Sequence, residues 1–270
     1  ERSPGPERRV AGMLDGTCST DAPFRKTLEQ AVGELGIQVD QRQLDMFCAY
    51  KQLLIEANRS INLTSITEDS EIAVKHFADS LTCLRVVDLC NVMSIVDVGT
   101  GAGFPGLVLK IMNPAARLLL IDSIGKKVDF VREVSVSLGL PDVESVQARA
   151  EELGRHPRYR ERFDLAVARG VSGLSPLAEY CLPFVRLGGA FVAMKGPKAA
   201  QEMQSGARAV AILGGGELST CRLELPSGVG TRVLVSATKQ RSTPRQYPRR
   251  PGVPERRPLG EAGADKKSSG

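Results

Sequence analysis

The feature that most constrains this chain is the segment 95–106, which reads Ile-Val-Asp-Val-Gly-Thr-Gly-Ala-Gly-Phe-Pro-Gly. An apolar run gives way to Gly99, Gly101 and Gly103 at alternate positions, and Gly106 follows. Alternating glycines remove Cβ atoms where a chain must turn sharply, and they let a ligand touch backbone. The residues leading in, 92–98, are nearly all apolar, as in a strand covered on both faces. The residues leading out, 104–111, have helical spacing with Pro105 near the first position. A helix N-terminus at the end of such a turn offers free N–H groups that favour negative charge.

Strands and helices then alternate. Runs at 117–122, 143–148, 163–168 and 189–194 read as strands, with helices at 126–138, through 177–182 and at 198–213. Two more strands, 217–225 and 232–238, follow without a helix between them, joined by the turn-rich Pro226-Ser-Gly-Val-Gly230. Five β-α repeats closed by a hairpin predict an α/β fold, a doubly wound, Rossmann-like sheet with an antiparallel last strand. Upstream the apolar spacing is helical. Leu28, Val32 and Leu35 mark one helix, and Leu44, Phe47, Tyr50, Leu53 and Leu54 a second, entered from Asp40. Ile72, Val74, Phe77, Leu81 and Leu84 mark a third, with capping candidates at 67–70. The expected organisation is a flexible tail over 1–22, a helical cap over 23–90, the α/β domain over 91–240 and a basic arm over 241–270.

Charge sharpens that last boundary. Net charge is +5, yet residues 239–270 hold nine Lys/Arg against three Asp/Glu, so the preceding 238 residues sum to −1. A near-neutral body with a basic arm suggests an anionic partner, although a solubilising tail gives the same pattern. Six cysteines (Cys18, Cys48, Cys83, Cys90, Cys181 and Cys221) include no Cys-x-x-Cys pair, and only His76 and His156 could supplement them. No metal site or disulfide framework is expected. No run reaches the ~18 apolar residues of a membrane span. The charged, proline-bearing residues 1–9 do not read as a signal peptide, so a cytoplasmic protein is expected.

The turn itself has two readings. Gly101-Ala-Gly103-Phe-Pro-Gly106 matches the dinucleotide fingerprint, with Asp122 about 20 residues on to accept ribose hydroxyls, which would mean NAD and an oxidoreductase. Asp97-x-Gly99-x-Gly101-x-Gly103 is also the pattern of S-adenosylmethionine-dependent methyltransferases. Three points favour the second reading. Asp97 can orient the loop or a methionine ammonium. Phe104 and Pro105 crowd the place where a pyrophosphate needs backbone. A closing hairpin is usual in methyltransferase sheets. Later strand ends supply further candidates, because ligands sit at the carboxyl edge of such sheets. Ala150 and Glu151 can flank an adenine. Arg169 and Lys195 are cations at the same edge, and a buried arginine needs an anion, either a substrate phosphate or a cofactor carboxylate.

The chemistry is narrowed by what the edge lacks. Exocyclic base amines are usually methylated with an Asn/Asp-Pro-Pro-aromatic tetrad after the fourth strand, where this chain reads Ala168-Arg-Gly-Val171. Pyrimidine C5 needs a cysteine nucleophile, and Cys181 sits late in a predicted helix. Guanine N7 carries a free lone pair and needs only alignment and exclusion of water.

At this point the sequence resembles the RsmG/GidB family, bacterial methyltransferases of small-subunit ribosomal RNA that act on guanine N7. The resemblance covers about 24–258 and rests on eight segments. They are Asn62-Leu-Thr64, His76-Phe-Ala-Asp-Ser-Leu81, the turn from Asp97 to Gly106, Asp122-Ser123, Ala150-Glu151, Ala168-Arg-Gly170, Lys195-Gly196 and Tyr247-Pro-Arg-Arg-Pro-Gly252. It implies S-adenosylmethionine bound by Gly99, Phe104, Ala150, Glu151 and Arg169, with Asp122 where the ribose contact falls. It implies an RNA side lined by Asn62, His76, Asp79, Lys195, Arg249 and Arg250. The plain alternative for His76 and Asp79 is a helix face packed under the cofactor. The resemblance also implies a partner, 16S ribosomal RNA or a small-subunit assembly intermediate, and no catalytic base. A monomer is expected. A nicotinamide-dependent oxidoreductase and a non-catalytic ribosome assembly factor are the alternatives.

Overall fold

The computed structural model describes residues 21–261; the tail expected over 1–22 and the end of the arm lie almost wholly outside them. Among the described residues three helical segments come first. Helix α1 is Ala22–Glu34 and α2 is Gln41–Ile61. The entry from Asp40 is a full capping box: its carboxylate accepts from the Gln43 N–H and the Gln43 side chain accepts from the Asp40 N–H, both at 2.8 Å. The third segment, α3 (69–81), is two α-helical turns, Asp69–Ile72 and Asp79–Leu81, flanking a π-helical stretch, Ala73–Ala78. The capping expected from 67–70 is not made, because Glu68 occupies the cap position without a side-chain bond. The Asp69 carboxylate instead meets Lys51 at 2.8 Å.

The α/β part then runs in the expected order. Its elements are β1 (Ser94–Val98), α4 (Gly106–Met112), β2 (Arg117–Asp122), α5 (Gly125–Ser137), β3 (Val143–Gln147) and α6 (Ala150–Leu153), then β4 (Phe163–Arg169), α7 (Leu174–Cys181), β5 (Val185–Lys195), α8 (Ala199–Ile212), β6 (Ser219–Leu225) and β7 (Gly230–Thr238). One seven-stranded sheet has the order β3-β2-β1-β4-β5-β7-β6. The first five strands are parallel, and β7 lies antiparallel between β5 and β6. Strand order reverses between β1 and β4, which opens a crevice at their carboxyl ends.

The pleat sorts the strand residues into two cores. Ile95, Leu118, Leu120, Leu165, Val167, Val192 and Met194 face one side, while Val96, Val98, Leu119, Ile121, Ala166, Ala168 and Ala193 face the other. Residues of α1 to α5 cover the first face and of α6 to α8 the second. The helical cap therefore shares a core with the sheet. At its centre the fully buried Phe77 ring meets Phe24, Phe47, Tyr50 and Phe104 edge-on at 5.1–5.4 Å. Each such pair is worth about 0.5–1.5 kcal/mol beyond burial, enough in sum to fix the cap against the turn that Phe104 ends.

The basic arm does not hang free where it is described. Arg155 donates to the Pro248 and Gln246 carbonyls, and Arg160 to those of Thr243 and Tyr247, at 2.6–2.9 Å. A short helix, α9 (Val253–Arg256), brings the chain back to the crevice.

Candidate active site

The crevice is a cleft of about 720 Å³, within the range of small-molecule sites. Its floor is the glycine turn. Asp97 anchors that turn from below, accepting from the Thr100 hydroxyl and the Gly106 N–H, each at 2.8 Å, through Oδ2. The carboxylate is fully buried, and Oδ1 has no partner among the described residues. Burial pushes its pKa up to about 6, against the lowering effect of those two hydrogen bonds. Asp97 is thus a brace for the loop and does not line the cleft.

Two glycines show why no other residue serves. Gly103 has φ +94, and a Cβ there would collide with the Tyr50 hydroxyl and Leu107. Gly101 has φ +58 and faces open space, its nearest neighbour for a Cβ being the Gly99 carbonyl at 4.0 Å. A side chain at Gly101 would fill the cradle that a ligand needs.

Asp122, at the end of β2, accepts from the Gly101 N–H at 3.0 Å and the Ile124 N–H at 2.9 Å. A carboxylate has about four acceptor sites, so two remain for a ligand. Ala150 and Glu151 start α6 on the same wall, and Glu151 accepts from the Gly252 N–H at 3.0 Å. The cradle, the half-used carboxylate and the small residue beside Glu151 fit a nucleoside with a free ribose.

Phe104, Tyr50 and His76 form a stack, with ring centroids 5.0 Å and 4.8 Å from Phe104 and planes within 14°. The Tyr50 hydroxyl donates to the Ala102 carbonyl, tying the cap to the turn. His76 bonds through Nε2 to the Thr64 hydroxyl at 2.9 Å. Burial and the neighbouring Arg169 charge push the imidazole pKa down to about 3, so the ring is neutral.

The anion that meets Arg169 is not a ligand but Asp79. Arg169 donates to the Asp79 carboxylate at 3.0 Å and to the Lys75 carbonyl at 3.1 Å, with its guanidinium 5.2 Å from the Phe104 ring centre. From β7, Arg232 grips the same carboxylate at 2.5 and 2.6 Å. Asp79 is fully buried, so one negative charge carries two guanidinium groups. The π stretch shapes this site: it leaves Lys75 and His76 carbonyls accepting from Arg169, as π-bulges often do at functional positions.

The expected residues divide. Gly99, Gly101, Phe104, Asp122, Ala150, Glu151, Arg169 and His76 converge on the cleft. Asp79 stands behind Arg169, and Gly103 lies under the loop against Tyr50. Lys195 is paired to Glu202 at 2.8 Å and donates to the Ser172 carbonyl at 2.7 Å. Arg249 is held by the buried Glu179. Arg250 is exposed, as is Asn62, whose φ of 47 closes α2. Sequence reasoning missed Tyr50 as a loop tether, Arg232, Glu179, and the cleft-lining Lys127, Arg149, Tyr180, Glu255 and Arg256. Arg232 alone left a trace, as a cation inside an apolar strand. Among the described residues no group of three His, Cys, Asp or Glu could hold a metal, and no helix is long and apolar enough to cross a membrane.

A parallel sheet with β7 antiparallel between β5 and β6, over a glycine turn, defines a Rossmann-like methyltransferase fold. A solved O-methyltransferase from Bacillus cereus in complex with SAH shares the fold, with TM-score 0.53 at 15% identity over 78% of this chain and 96% of that one. Sequence places the chain more finely. The family model for rRNA small subunit methyltransferase G (GidB) matches residues 43–227. The ribosomal RNA small subunit methyltransferase G of Pelotomaculum thermopropionicum is 49% identical over 234 residues, 87% of this chain and 98% of that protein. That of Alkaliphilus metalliredigens is 45% identical over 232 residues, 86% and 97%. The chain belongs to the rRNA small subunit methyltransferase G family.

Proposed function

We propose that the chain transfers a methyl group from S-adenosylmethionine to N7 of a guanine in 16S ribosomal RNA. Family membership favours a methyltransferase over the nicotinamide-dependent alternative. The observation that carries N7 concerns the bases the cleft does not have free. Asp122 holds Gly101 and Ile124, Glu151 holds Gly252, and Glu255 holds Ser172 at 2.7 Å. His76 is neutral and bonded to Thr64. Each carboxylate on the wall already accepts from the protein's own donors, the acceptor positions left on Asp122 would serve the cofactor's ribose and not the base, and no cysteine among the described residues lines the cleft. An exocyclic amine or a pyrimidine C5 would need a base or a thiolate. The N7 lone pair needs neither.

The glycine turn, Asp122, Ala150, Glu151 and Arg169 would hold S-adenosylmethionine, which supplies an electrophilic methyl on a sulfonium when bound. Asp97 fixes the turn, and the Tyr50–Phe104–His76 stack closes its inner side against water. The exposed Arg149 and Arg256 of the cleft lining, with the exposed Arg250 of the arm, would take RNA phosphates, so that these cations position the strand while the cleft positions the base.

The test is transfer of a labelled methyl from S-adenosylmethionine to under-methylated 16S RNA, or to a small-subunit assembly intermediate, followed by nucleoside digestion. Label is expected in N7-methylguanosine. Cofactor binding with no label in RNA would favour the assembly-factor reading, and binding of NADH without S-adenosylhomocysteine would overturn the proposal.

A further inference from the structure

The basic arm was expected on the RNA side, yet Arg249, one of the two arginines named for it, is spent on the protein. Arg249 lies against Glu179 of α7, a carboxylate fully buried in the core. Its guanidinium donates to both oxygens at 2.6–3.0 Å, and its own N–H adds a further bond at 2.6 Å. A bidentate pair with a buried carboxylate fixes backbone as well as side chain. Three residues on, the Gly252 N–H reaches Glu151. Among the described residues this is the donor the Glu151 carboxylate receives, although Glu151 is 4% exposed and lines the cleft. A buried carboxylate without a donor is costly, so the arm sets how Glu151 presents itself. Glu255 follows on the cleft wall, held by the Ser172 hydroxyl and by Tyr180 at 3.3 Å. The Ser175 hydroxyl and the buried Leu259 then pin the chain beyond.

We propose that the arm is part of the cofactor site: Glu179 latches Arg249, Arg249 fixes Gly252 on Glu151, and Glu255 completes the wall that meets the nucleoside. Glu179 and Arg249 are positioning residues, acting through Gly252 and Glu151. This rests on the S-adenosylmethionine reading above. It also reverses the plain expectation for a basic arm, since removing Arg249 should weaken cofactor binding and leave RNA binding nearly intact.

The experiment is calorimetric titration of the full chain with S-adenosylhomocysteine, below the thermal midpoint of each variant, beside RNA binding at several salt concentrations. Arg249→Leu should raise the S-adenosylhomocysteine Kd about tenfold, the scale of one lost charge-assisted hydrogen bond. Arg249→Lys, which keeps the charge but not the fork, should fall between that and the parent protein. The RNA salt slope should be unchanged in both. Glu255→Gln, on an exposed side chain, keeps the inference testable if Arg249→Leu does not fold, and should weaken S-adenosylhomocysteine several-fold. An unchanged Kd in folded Arg249→Leu, a lysine variant no better than the leucine, or an unchanged Kd in Glu255→Gln overturns the inference. Failure of the parent protein to bind S-adenosylhomocysteine would instead sink the cofactor reading itself.

Discussion

Replacing Asp79 by asparagine tests the least legible part of the site. The carboxylate is 1% exposed and takes three hydrogen bonds from Arg169 and Arg232, whose side chains are 15% and 19% exposed. Asparagine keeps the shape but removes the charge, and its amide turns one acceptor into a donor facing a guanidinium. Breaking a buried ion pair by removing one partner costs about 3–5 kcal/mol. The partial exposure of both arginines argues for the lower end, about 3 kcal/mol. For a protein of this size each kcal/mol moves the midpoint by about 2–4 °C, so Asp79→Asn should lower Tm by about 6–12 °C. Thermal unfolding followed by circular dichroism reads this directly. Because Arg232 would be left uncompensated, Asp79→Asn combined with Arg232→Gln should cost less than the sum of the two single changes. Strict additivity, or a loss of less than about 1 kcal/mol, the scale of an exposed pair, would refute the reasoning. Freed from Asp79, Arg169 should also hold the cofactor less well, and the S-adenosylhomocysteine Kd should rise in the same variant.

Two further outcomes follow from the turn. Tyr50→Phe strips the Ala102 carbonyl of its buried donor and should cost about 1–3 kcal/mol in denaturant unfolding while weakening S-adenosylhomocysteine; a neutral change would mean that the cap does not hold the loop. The second concerns acid. Asp97, raised to about 6 in the fold, gains stability as pH falls below 6, and that gain is absent at higher pH. His76, lowered to about 3, contributes above pH 6.5 and loses that contribution as pH falls toward 3. The two oppose each other between pH 6 and 4, so Asp97→Asn should lose stability on acidification more steeply than the parent. Parallel stability curves over that interval would contradict the assignment.

The sequence carried the fold through local signals. Apolar runs at 117–122 and 163–168 had the length and neighbours of buried strands, and the glycines named the turn. It located part of the cleft lining for the same reason, because ligands gather at strand ends that periodicity can locate. What stayed hidden was pairing across the chain. Glu179 and Arg249 are 70 positions apart, and Asp79 and Arg232 are 153 apart. Apart from the apolar strand around Arg232, nothing local distinguishes such charges from solvated ones. The π stretch was also unreadable, since Val74, Phe77 and Leu81 fit an ordinary helix while the real backbone presents two carbonyls to Arg169. Charge counting cannot sort cations by their partners: Lys239 is buried and Arg249 is paired to Glu179, while Arg250 is exposed.

The proposed methyl acceptor, guanine N7, needs no base. It is tested most directly with two transcripts of the same 16S fragment, one with guanosine and one with 7-deazaguanosine, in which a C–H replaces N7. Both RNAs should bind equally, and methyl should pass from S-adenosylmethionine to the first alone. Transfer to the 7-deaza transcript would place the methyl on another atom and contradict it.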